Sequence, residues 1–496
     1  MPAALPAALP RPALPRPAWL TPRVARTEVL AGLVVALALI PEAISFSIIA
    51  GVDPRVGLFA SFTMAVTIAF TGGRPAMISA ATGAVALVVA PLVASHGLPY
   101  LVAAVLLGGG FQVVLGLLGV AKVMRFVPRS VMVGFVNALA ILIFTAQLPQ
   151  LTDVPWAVYP LAAAGLGIIF GLPRLTTAVP APLVAIIVLT VLTVTTGIAV
   201  PTVGDQGQLP DSLPSLGLPD VPFGLDTLQV VAPYALAIAL VGLMESLMTA
   251  KLVDELTDTS SSKTRESVGQ GLANLVTGLF GGMGGCAMIG QTMINVRSGA
   301  RTRLSTFLAG VFLLVLVVAL SPVVAVIPMA ALVAVMVFVS IATFDWHSLR
   351  TLRRMPRSET AVMLVTVAVV LVTSNLAIGV AVGVLVACVL FARRVAHLVT
   401  VTPTEGPGGS RVYVVRGALF FASTNDMIGQ FDYAGDPDRV VVDLSGAHVW
   451  DASSVAVLDA VEQKYAARGK SVEIAGLTDV TGHYHRRLAG RLDGGH

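Results

Sequence analysis

Long apolar runs separated by few charged residues constrain this chain more than any other feature. Crossing a bilayer core takes about 20 residues of α-helix, and backbone in lipid must satisfy its hydrogen bonds internally. The sequence therefore predicts an all-α membrane domain. The fourteen predicted segments are 29–49, 54–71, 76–95, 98–120, 127–147, 156–172, 180–198, 227–250, 266–283, 286–299, 301–320, 322–341, 359–375 and 376–393.

The placement of charge sets the orientation of these segments. With a cytoplasmic N-terminus, the inside loops collect the Lys and Arg residues, whereas the outside loops hold Arg55 alone. The long outside loop 201–226 has four aspartates and no Lys or Arg. This asymmetry satisfies the positive-inside rule, so we expect both termini in the cytoplasm. Because the net charge of +4 is spread over short loops, it does not indicate nucleic-acid binding.

Two of the predicted segments are interrupted by glycine near mid-membrane. Residues 279–304 read LFGGMGGCAMIGQTMINVRSGARTRL, and residues 72–91 read GGRPAMISAATGAVALVVAP. Each predicts a short extended stretch that turns into a half-helix. Exposed backbone at membrane depth is tolerated only when it is buried in protein or lines a polar cavity. Paired interrupted segments at corresponding places in two halves indicate a transporter site.

The interrupted segments are third and tenth, so the loop 201–226 divides the chain into seven plus seven segments. An odd number per half forces the halves into opposite orientations, which predicts inverted repeats at about 27–200 and 227–394. Residues 1–26 are expected to be a cytoplasmic arm and 27–398 the transmembrane domain. Residues 399–410, rich in Pro and Gly, are expected to be a linker. Alternating β-rich and helical stretches predict a small α/β domain over 411–496.

The two half-helix starts are the predicted anion site, because helix N-termini offer free N–H groups and a positive dipole end. The alternative is that the glycines only allow close helix packing. The backbone positions are Ala81, Thr82, Gly83, Ile289, Gly290, Gln291 and Thr292.

Two intramembrane carboxylates are the predicted ion-coupling residues. Glu245 lies within the eighth segment, and Glu42 follows Pro41 in the first. A carboxylate inside a membrane is costly and usually functional, and a carboxyl group in a dry cavity can carry a proton near neutral pH. The alternative for each is a structural hydrogen bond to a neighbouring helix. The lone amides Gln112, Asn137, Asn274 and Asn295 are expected to hold helices together.

Several motifs resemble the sulfate-permease (SulP) family, the bacterial branch of solute carrier family 26. They are IPEAISFSIIAGVDPRVGLF, GGRPAMIS, RFVPRSVMVGFVNALAI, LMESLMTAKLVDE and GGCAMIGQTMINVRSGARTRLS, and residues from 411 onward resemble a STAS domain. The resemblance implies a uracil-permease-like fold with a mobile core (segments 1–4 and 8–11), a gate (segments 5–7 and 12–14) and a homodimer in the bacterial inner membrane. It also implies that Phe46 lines the anion pocket. Gln291 stands where related animal exchangers carry arginine, which removes a fixed cation and favours cation-coupled uptake.

The function expected from these features is proton-coupled symport of a small anion, such as the dicarboxylate fumarate, sulfate or bicarbonate. Na⁺-coupled symport, anion exchange, an anion channel and a membrane-anchored STAS scaffold with a cytoplasmic partner remain alternatives. A nucleobase permease of the same fold is disfavoured by the STAS-like region. The pattern indicates no enzyme, cofactor or metal site. In the α/β domain, Ser453 and Ser454 are expected to cap a helix rather than to act as a phosphorylation switch.

Overall fold

A computed structural model describes residues 22–119, 127–176, 180–210, 212–222, 224–396, 398–477 and residue 487. Most of the predicted N-terminal arm, residues 1–21, lies outside this part, as does the end of the predicted α/β domain after residue 477 except for residue 487. The first helix begins at Pro22 rather than after residue 26. The described residues fall into two compact units that divide between Gly383 and Val384.

In the described residues of the first unit, the regular structure is helical apart from two short strands and an isolated bridge between Thr202 and Pro328. Its helices are α1 (Pro22–Ala50), α2 (Pro54–Thr71), α3 (Gly83–His96), α4 (Leu98–Leu117), α5 (Arg129–Thr145), α6 (Val158–Gly171), α7 (Ala181–Thr196), α8 (Leu225–Thr257), α9 (Lys263–Leu279), α10 (Ile289–Arg297), α11 (Arg303–Ala319), α12 (Ser321–Ala325), α13 (Met329–Thr343), α14 (Trp346–Thr351) and α15 (Arg357–Thr373); α16 (Leu376–Ala396) starts here and continues into the second unit. The strands are β1 (Ser79–Ala80) and β2 (Cys286–Ala287).

Within the described residues, each of the fourteen predicted segments overlaps a helix of at least 9 residues, in the predicted order. In the part of the chain that the structure describes, six helical spans have at least 18 residues and enough apolar character to cross a membrane, and α3, α6, α7, α11 and α13 are shorter apolar helices. The prediction of a mostly helical membrane domain is therefore confirmed, whereas the number of fourteen membrane-spanning segments stays a prediction. That the two halves are inverted repeats stays a prediction.

The helices of the first unit pack in two groups. In one group, α4 packs against α8 and α9, while α11 packs against α1 and α2. In the other group, α13 packs against α5, α6 and α7, and α15 packs against α5. These are the sets that the resemblance assigns to a core and a gate. The two half-helices α3 and α10 belong to the first group, where they contact α1 and α8.

The second unit contains a four-stranded sheet in the order β3 (Thr400–Glu405), β4 (Arg411–Leu419), β5 (Arg439–Val449), β6 (Ser471–Ala475). The three strands β4, β5 and β6 are parallel, and β3 is an antiparallel edge strand. Two helices, α17 (Thr424–Ile428) and α18 (Ala452–Ala466), connect the parallel strands. The segment expected to be a linker, 399–410, thus contains a strand. Its Pro403 is compatible with this place because an edge strand leaves one row of N–H groups unused.

The start of α18 differs from the expectation that Ser453 and Ser454 cap this helix. Asp451 is the N-cap, and it accepts hydrogen bonds from the backbone N–H of Ser454 (3.0 Å) and from the Ser454 hydroxyl (2.8 Å). Ser453 and Ser454 therefore lie inside the helix and do not cap it. Asp451 also accepts from the N–H of Phe421 (2.7 Å), which joins the end of β4 to the helix start.

Candidate functional site

The two interrupted segments meet as a two-stranded antiparallel pair in the middle of the first unit. Ser79 faces Ala287 and Ala80 faces Cys286. The approach is so close that a Cβ on Gly285 would lie 1.9 Å from the carbonyl oxygen of Ala80, and Gly284 has a φ of +75°. Glycine is therefore required here both for space and for backbone conformation. The pairing satisfies backbone groups that could not remain exposed at this depth.

Both half-helices begin directly after these strands. Thr82 is the N-cap of α3 and accepts from the N–H of Val85 (3.4 Å), while α10 begins at Ile289. The first N–H groups of a helix have no intrahelical acceptor. In the described part of the chain, no acceptor is present for the N–H groups of Gly83, Ala84, Ile289, Gly290 and Gln291. Two sets of free donors therefore converge at the strand pair.

A cavity of about 800 Å³ lies against these helix starts. It is lined by Phe46, Thr82, Gly83, Ile289, Gly290 and Gln291, six of the eight predicted anion-site residues. Apolar side chains such as Phe135 and Phe338 form much of the opposite wall. The cavity extends along α10 to Arg297 and to Pro173, Pro180 and Thr343 at helix ends that the charge pattern places on the cytoplasmic side.

The structure does not bring Ala81 and Thr292 into this cavity. The N–H of Ala81 donates to the Ser61 hydroxyl (3.2 Å), and the side chain is buried. The Thr292 hydroxyl accepts from the N–H of Ile78 (3.0 Å), and its own N–H donates to the Met288 carbonyl (3.1 Å). Because their N–H groups are already paired, these two residues stabilise the strand pair and cannot offer a donor to an anion.

Both predicted carboxylates line the cavity, and each has a specific partner. The Cys286 thiol donates to Oε2 of Glu245 (2.9 Å) and lies 3.1 Å from the Thr82 hydroxyl. A chain of contacts thus links Glu245 to the N-cap of α3. Glu42 is hydrogen-bonded by the side chain of Gln291, in the first turn of α10. Each half-helix start is therefore connected to one intramembrane carboxyl group.

Two of the amides that were expected to join helices also hold the backbone next to the strand pair in place. Asn274 donates to the Gly285 carbonyl (3.0 Å) and accepts from the Gly285 N–H (2.9 Å), while it also donates to Gln112 (2.8 Å). Asn295 donates to the Ala76 carbonyl (2.8 Å) and to the Ser305 hydroxyl (2.9 Å).

A charged cluster outside the cavity fixes the start of the first interrupted segment. Glu266 accepts from the N–H groups of Gly73 (2.7 Å) and Arg74 (3.0 Å). The Arg74 guanidinium pairs with Asp254 (2.9 Å), which also pairs with Lys263 (2.6 Å). These contacts tie α8 and α9 to the segment that leads into β1.

The comparison with protein families decides the class of this chain. The model of the sulfate permease family matches residues 26–159 and 156–366, and the STAS domain model matches residues 402–488. The chain belongs to the sulfate permease family. As a member of this family it is a multi-pass membrane anion transporter with a C-terminal STAS domain, and it is not an enzyme.

Individual relatives agree with this assignment. The chain is 55% identical to a Bacillus subtilis protein named "Putative sulfate transporter YbaR", over 94% of this chain and 97% of that protein. It is 26% identical to the bicarbonate transporter BicA of Picosynechococcus, over 93% and 90% of the two chains. The solved transmembrane domain of a cyanobacterial BicA aligns with a TM-score of 0.64 at 27% identity, over 74% of this chain and 98% of that one. Murine Solute Carrier 26 family member A9 shares the fold, with a TM-score of 0.81 at 15% identity over 95% and 89%.

Within this sulfate permease site, sequence reasoning missed two residues. Cys286 lies in the GGCAM stretch, but its contact with Glu245 depends on the register of β2, which the sequence does not reveal. The charge pattern places Arg297 in an inside loop, whereas it lies in the last turn of α10 and lines the same cavity as Gln291. The helical spacing from Gln291 through Ile294 was a signal that could have found it.

Proposed function

We propose that this sulfate permease is a secondary active transporter that carries a small anion together with a proton. One observation supports this most directly. Free N–H groups of two half-helices and the carboxyl groups of Glu245 and Glu42 line the same cavity, where Gln291 supplies no fixed cation. The anion would be held by the N–H groups of Gly83, Ile289, Gly290 and Gln291 and by the two helix dipoles. Thr82 and Phe46 would complete the pocket.

Proton coupling follows from the electrostatics of such a site. An anion about 4 Å from an ionised Glu245 would be repelled by about 4 kcal/mol at an effective dielectric constant near 20. Protonation removes that repulsion, so anion and proton should bind with positive cooperativity. Linkage makes the effect reciprocal, because a bound anion then favours the protonated form of Glu245. An inward proton gradient would therefore drive anion accumulation.

The candidate anions are a dicarboxylate such as fumarate, sulfate and bicarbonate. The relatives named for sulfate and bicarbonate transport support the last two. A pocket built from backbone N–H groups recognises charge and size more than chemical identity, so it suits all three. The cavity volume of about 800 Å³ leaves room for each of them.

The packing of the helices in two groups supports alternating access, in which the core moves against the gate. We place the transporter in the bacterial inner membrane as a homodimer with both termini in the cytoplasm, on the basis of the charge asymmetry and the family resemblance. The antiparallel pairing of β1 with β2 supports two halves of opposite orientation. The STAS domain would then face cytoplasmic partners.

The test is uptake of labelled sulfate, fumarate and bicarbonate into proteoliposomes under separate pH and Na⁺ gradients. We expect uptake to rise as external pH falls and an inward proton gradient to concentrate the anion. Glu245→Gln, which mimics the protonated form, should keep anion binding and lose the response to the pH gradient. If Glu245→Gln concentrates substrate with the wild-type pH response, the coupling proton is carried elsewhere, and Glu42→Gln is the next variant to measure.

Na⁺-coupled symport is the second candidate. The Glu245 carboxylate and the nearby Thr82 hydroxyl offer the oxygen ligands that a hard cation prefers. Uptake driven by a Na⁺ gradient and indifferent to a pH gradient would favour this candidate. Uptake that needs a second anion on the opposite side would instead indicate exchange, and gradient-limited flux would indicate a channel. Absence of any anion flux would favour the alternative that the protein is a membrane-anchored STAS scaffold.

A further inference from the structure

Arg297 lines the cavity at the opposite end of α10 from the free N–H groups. Gln291, Ile294, Arg297 and Ser298 all line it, and steps of three or four residues place them within an arc of about 120° of the helix surface. The six residues from Gln291 to Arg297 correspond to about 9 Å along the helix axis. An anion moving between the helix starts and the cavity mouth would follow this face.

Arg297 does not hydrogen-bond the carbonyl groups at the end of its own helix. Arg301 does so instead, because its guanidinium donates to the carbonyls of Val296 and Ala300, both at 2.7 Å. The side chain of Arg297 is exposed, and within the described residues it forms no hydrogen bond or ion pair. A charged side chain that is free of structural partners and turned into a cavity is available to a ligand.

Arg297 is the positively charged residue among the described residues that line the cavity, and it lies near the mouth. Among the described lining residues, Glu42, Glu245 and Arg297 are the ionisable ones. The two carboxyl groups lie near the helix starts, so an anion approaching from the mouth meets a positive charge first and acidic groups later. A Debye length of about 8 Å in physiological salt is comparable to the length of this path. The charge of Arg297 therefore acts on anions that have entered the mouth.

We propose that Arg297 forms a second anion contact at the mouth of the cavity, which captures the anion before it reaches the half-helix starts and receives it on the way out. The ligand class is a small anion, with divalent anions attracted more strongly than monovalent ones. The capture step rests on the proposed transport function. The electrostatic effect of Arg297 on the cavity can be measured without any transport.

The first experiment measures charge selectivity inside the cavity. The full chain carries Cys388→Ser to remove the exposed thiol, while buried Cys286 stays. Ala38→Cys places a reporter thiol on the cavity wall one turn before Glu42. The ratio of its reaction rates with an anionic and a cationic methanethiosulfonate reagent measures the charge selectivity of the cavity. Arg297→Gln should lower the anionic-to-cationic ratio about tenfold, Arg297→Lys should keep it, and the exposed Arg354→Gln should leave it unchanged.

A ratio that Arg297→Gln does not change would overturn the proposal. This outcome is distinct from failure of the transport proposal, because the reporter reaction needs no substrate. If the wild type carries none of sulfate, fumarate or bicarbonate, the reporter ratio alone decides whether Arg297 concentrates anions in the cavity.

The second experiment uses whichever of these three labelled anions the wild type transports. Arg297→Gln should raise KM about fivefold with kcat unchanged, and the difference should shrink in about 0.5 M potassium gluconate, where screening acts within a few ångströms. Arg297→Lys should restore the wild-type KM, which a purely structural role would not predict. A changed reporter ratio with an unchanged KM would overturn the capture step.

Discussion

At the scale of single residues, the Cys286 thiol connects the coupling carboxylate to the anion site. It donates to Glu245 at 2.9 Å and contacts the N-cap hydroxyl of Thr82 at 3.1 Å. A hydrogen bond to a charged group contributes about 1.5–3 kcal/mol. In Cys286→Ala the ionised carboxylate loses this donor, so its charged form is stabilised less than in the wild type.

The prediction is that half-maximal uptake in Cys286→Ala shifts upward by about one pH unit, since one unit corresponds to about 1.4 kcal/mol. Cys286→Ser retains a donor and should stay close to the wild-type profile. The measurement is initial uptake rate against external pH in proteoliposomes. Identical pH profiles for the alanine variant and the wild type would contradict the proposed contact between thiol and carboxylate.

A substitution at Gly290 tests the anion site without disturbing the fold. A Cβ at this position meets no atom within 4 Å, and the residue faces the cavity. Gly290→Val should therefore fold normally and abolish anion binding, because the branched side chain covers the N–H groups at the start of α10. Gly167→Val, at an exposed position of α6 that is equally open, is the matched control and should bind normally. Unchanged substrate affinity in Gly290→Val would refute the site assignment.

At the scale of elements, the strand pair depends on the clamp that Asn274 applies to Gly285. Asn274→Ala would leave the buried N–H and carbonyl of Gly285 without partners, at a cost of about 3 kcal/mol. We expect a clear fall in melting temperature by fluorescence-detected size exclusion. Gln229→Ala, which removes an exposed amide from α8, is the control and should melt like the wild type. A wild-type melting temperature for Asn274→Ala would show that the clamp contributes little.

The order of the elements and the places where the half-helices begin could be predicted, because hydrophobic length and glycine clusters are local signals. The contacts that side chains make could not be predicted from the sequence. Whether Ala81 offers its N–H to an anion or to Ser61 depends on how α2 packs beside the strand, and that packing leaves no mark in the sequence around Ala81. The edge strand β3 was missed because Pro403 and the glycines after it indicate a linker, although an edge position tolerates them.

At the scale of the whole molecule, the division into two compact units leads us to expect that the membrane domain inserts without the C-terminal domain, and the structure shows where to divide the chain. Val399, the last residue before β3, packs in the hydrophobic core of the second unit with Tyr413 and Leu444. A chain ending at Val399 would expose this side chain without its partners. Since α16 ends at Ala396, the better truncation ends there.

The final prediction is that a chain ending at Ala396 inserts into the membrane and gives a monodisperse peak in size exclusion. The reason is that residues of the first unit form their own large hydrophobic core, from Val35 to Leu376. Replacing Leu39, a fully buried residue of that core, by aspartate should abolish the peak and serves as the negative control. If the truncated chain aggregates in every detergent while the full chain does not, the membrane domain requires the STAS domain to fold. Retention of labelled-anion uptake by the truncated chain would further place the whole transport site in the first unit.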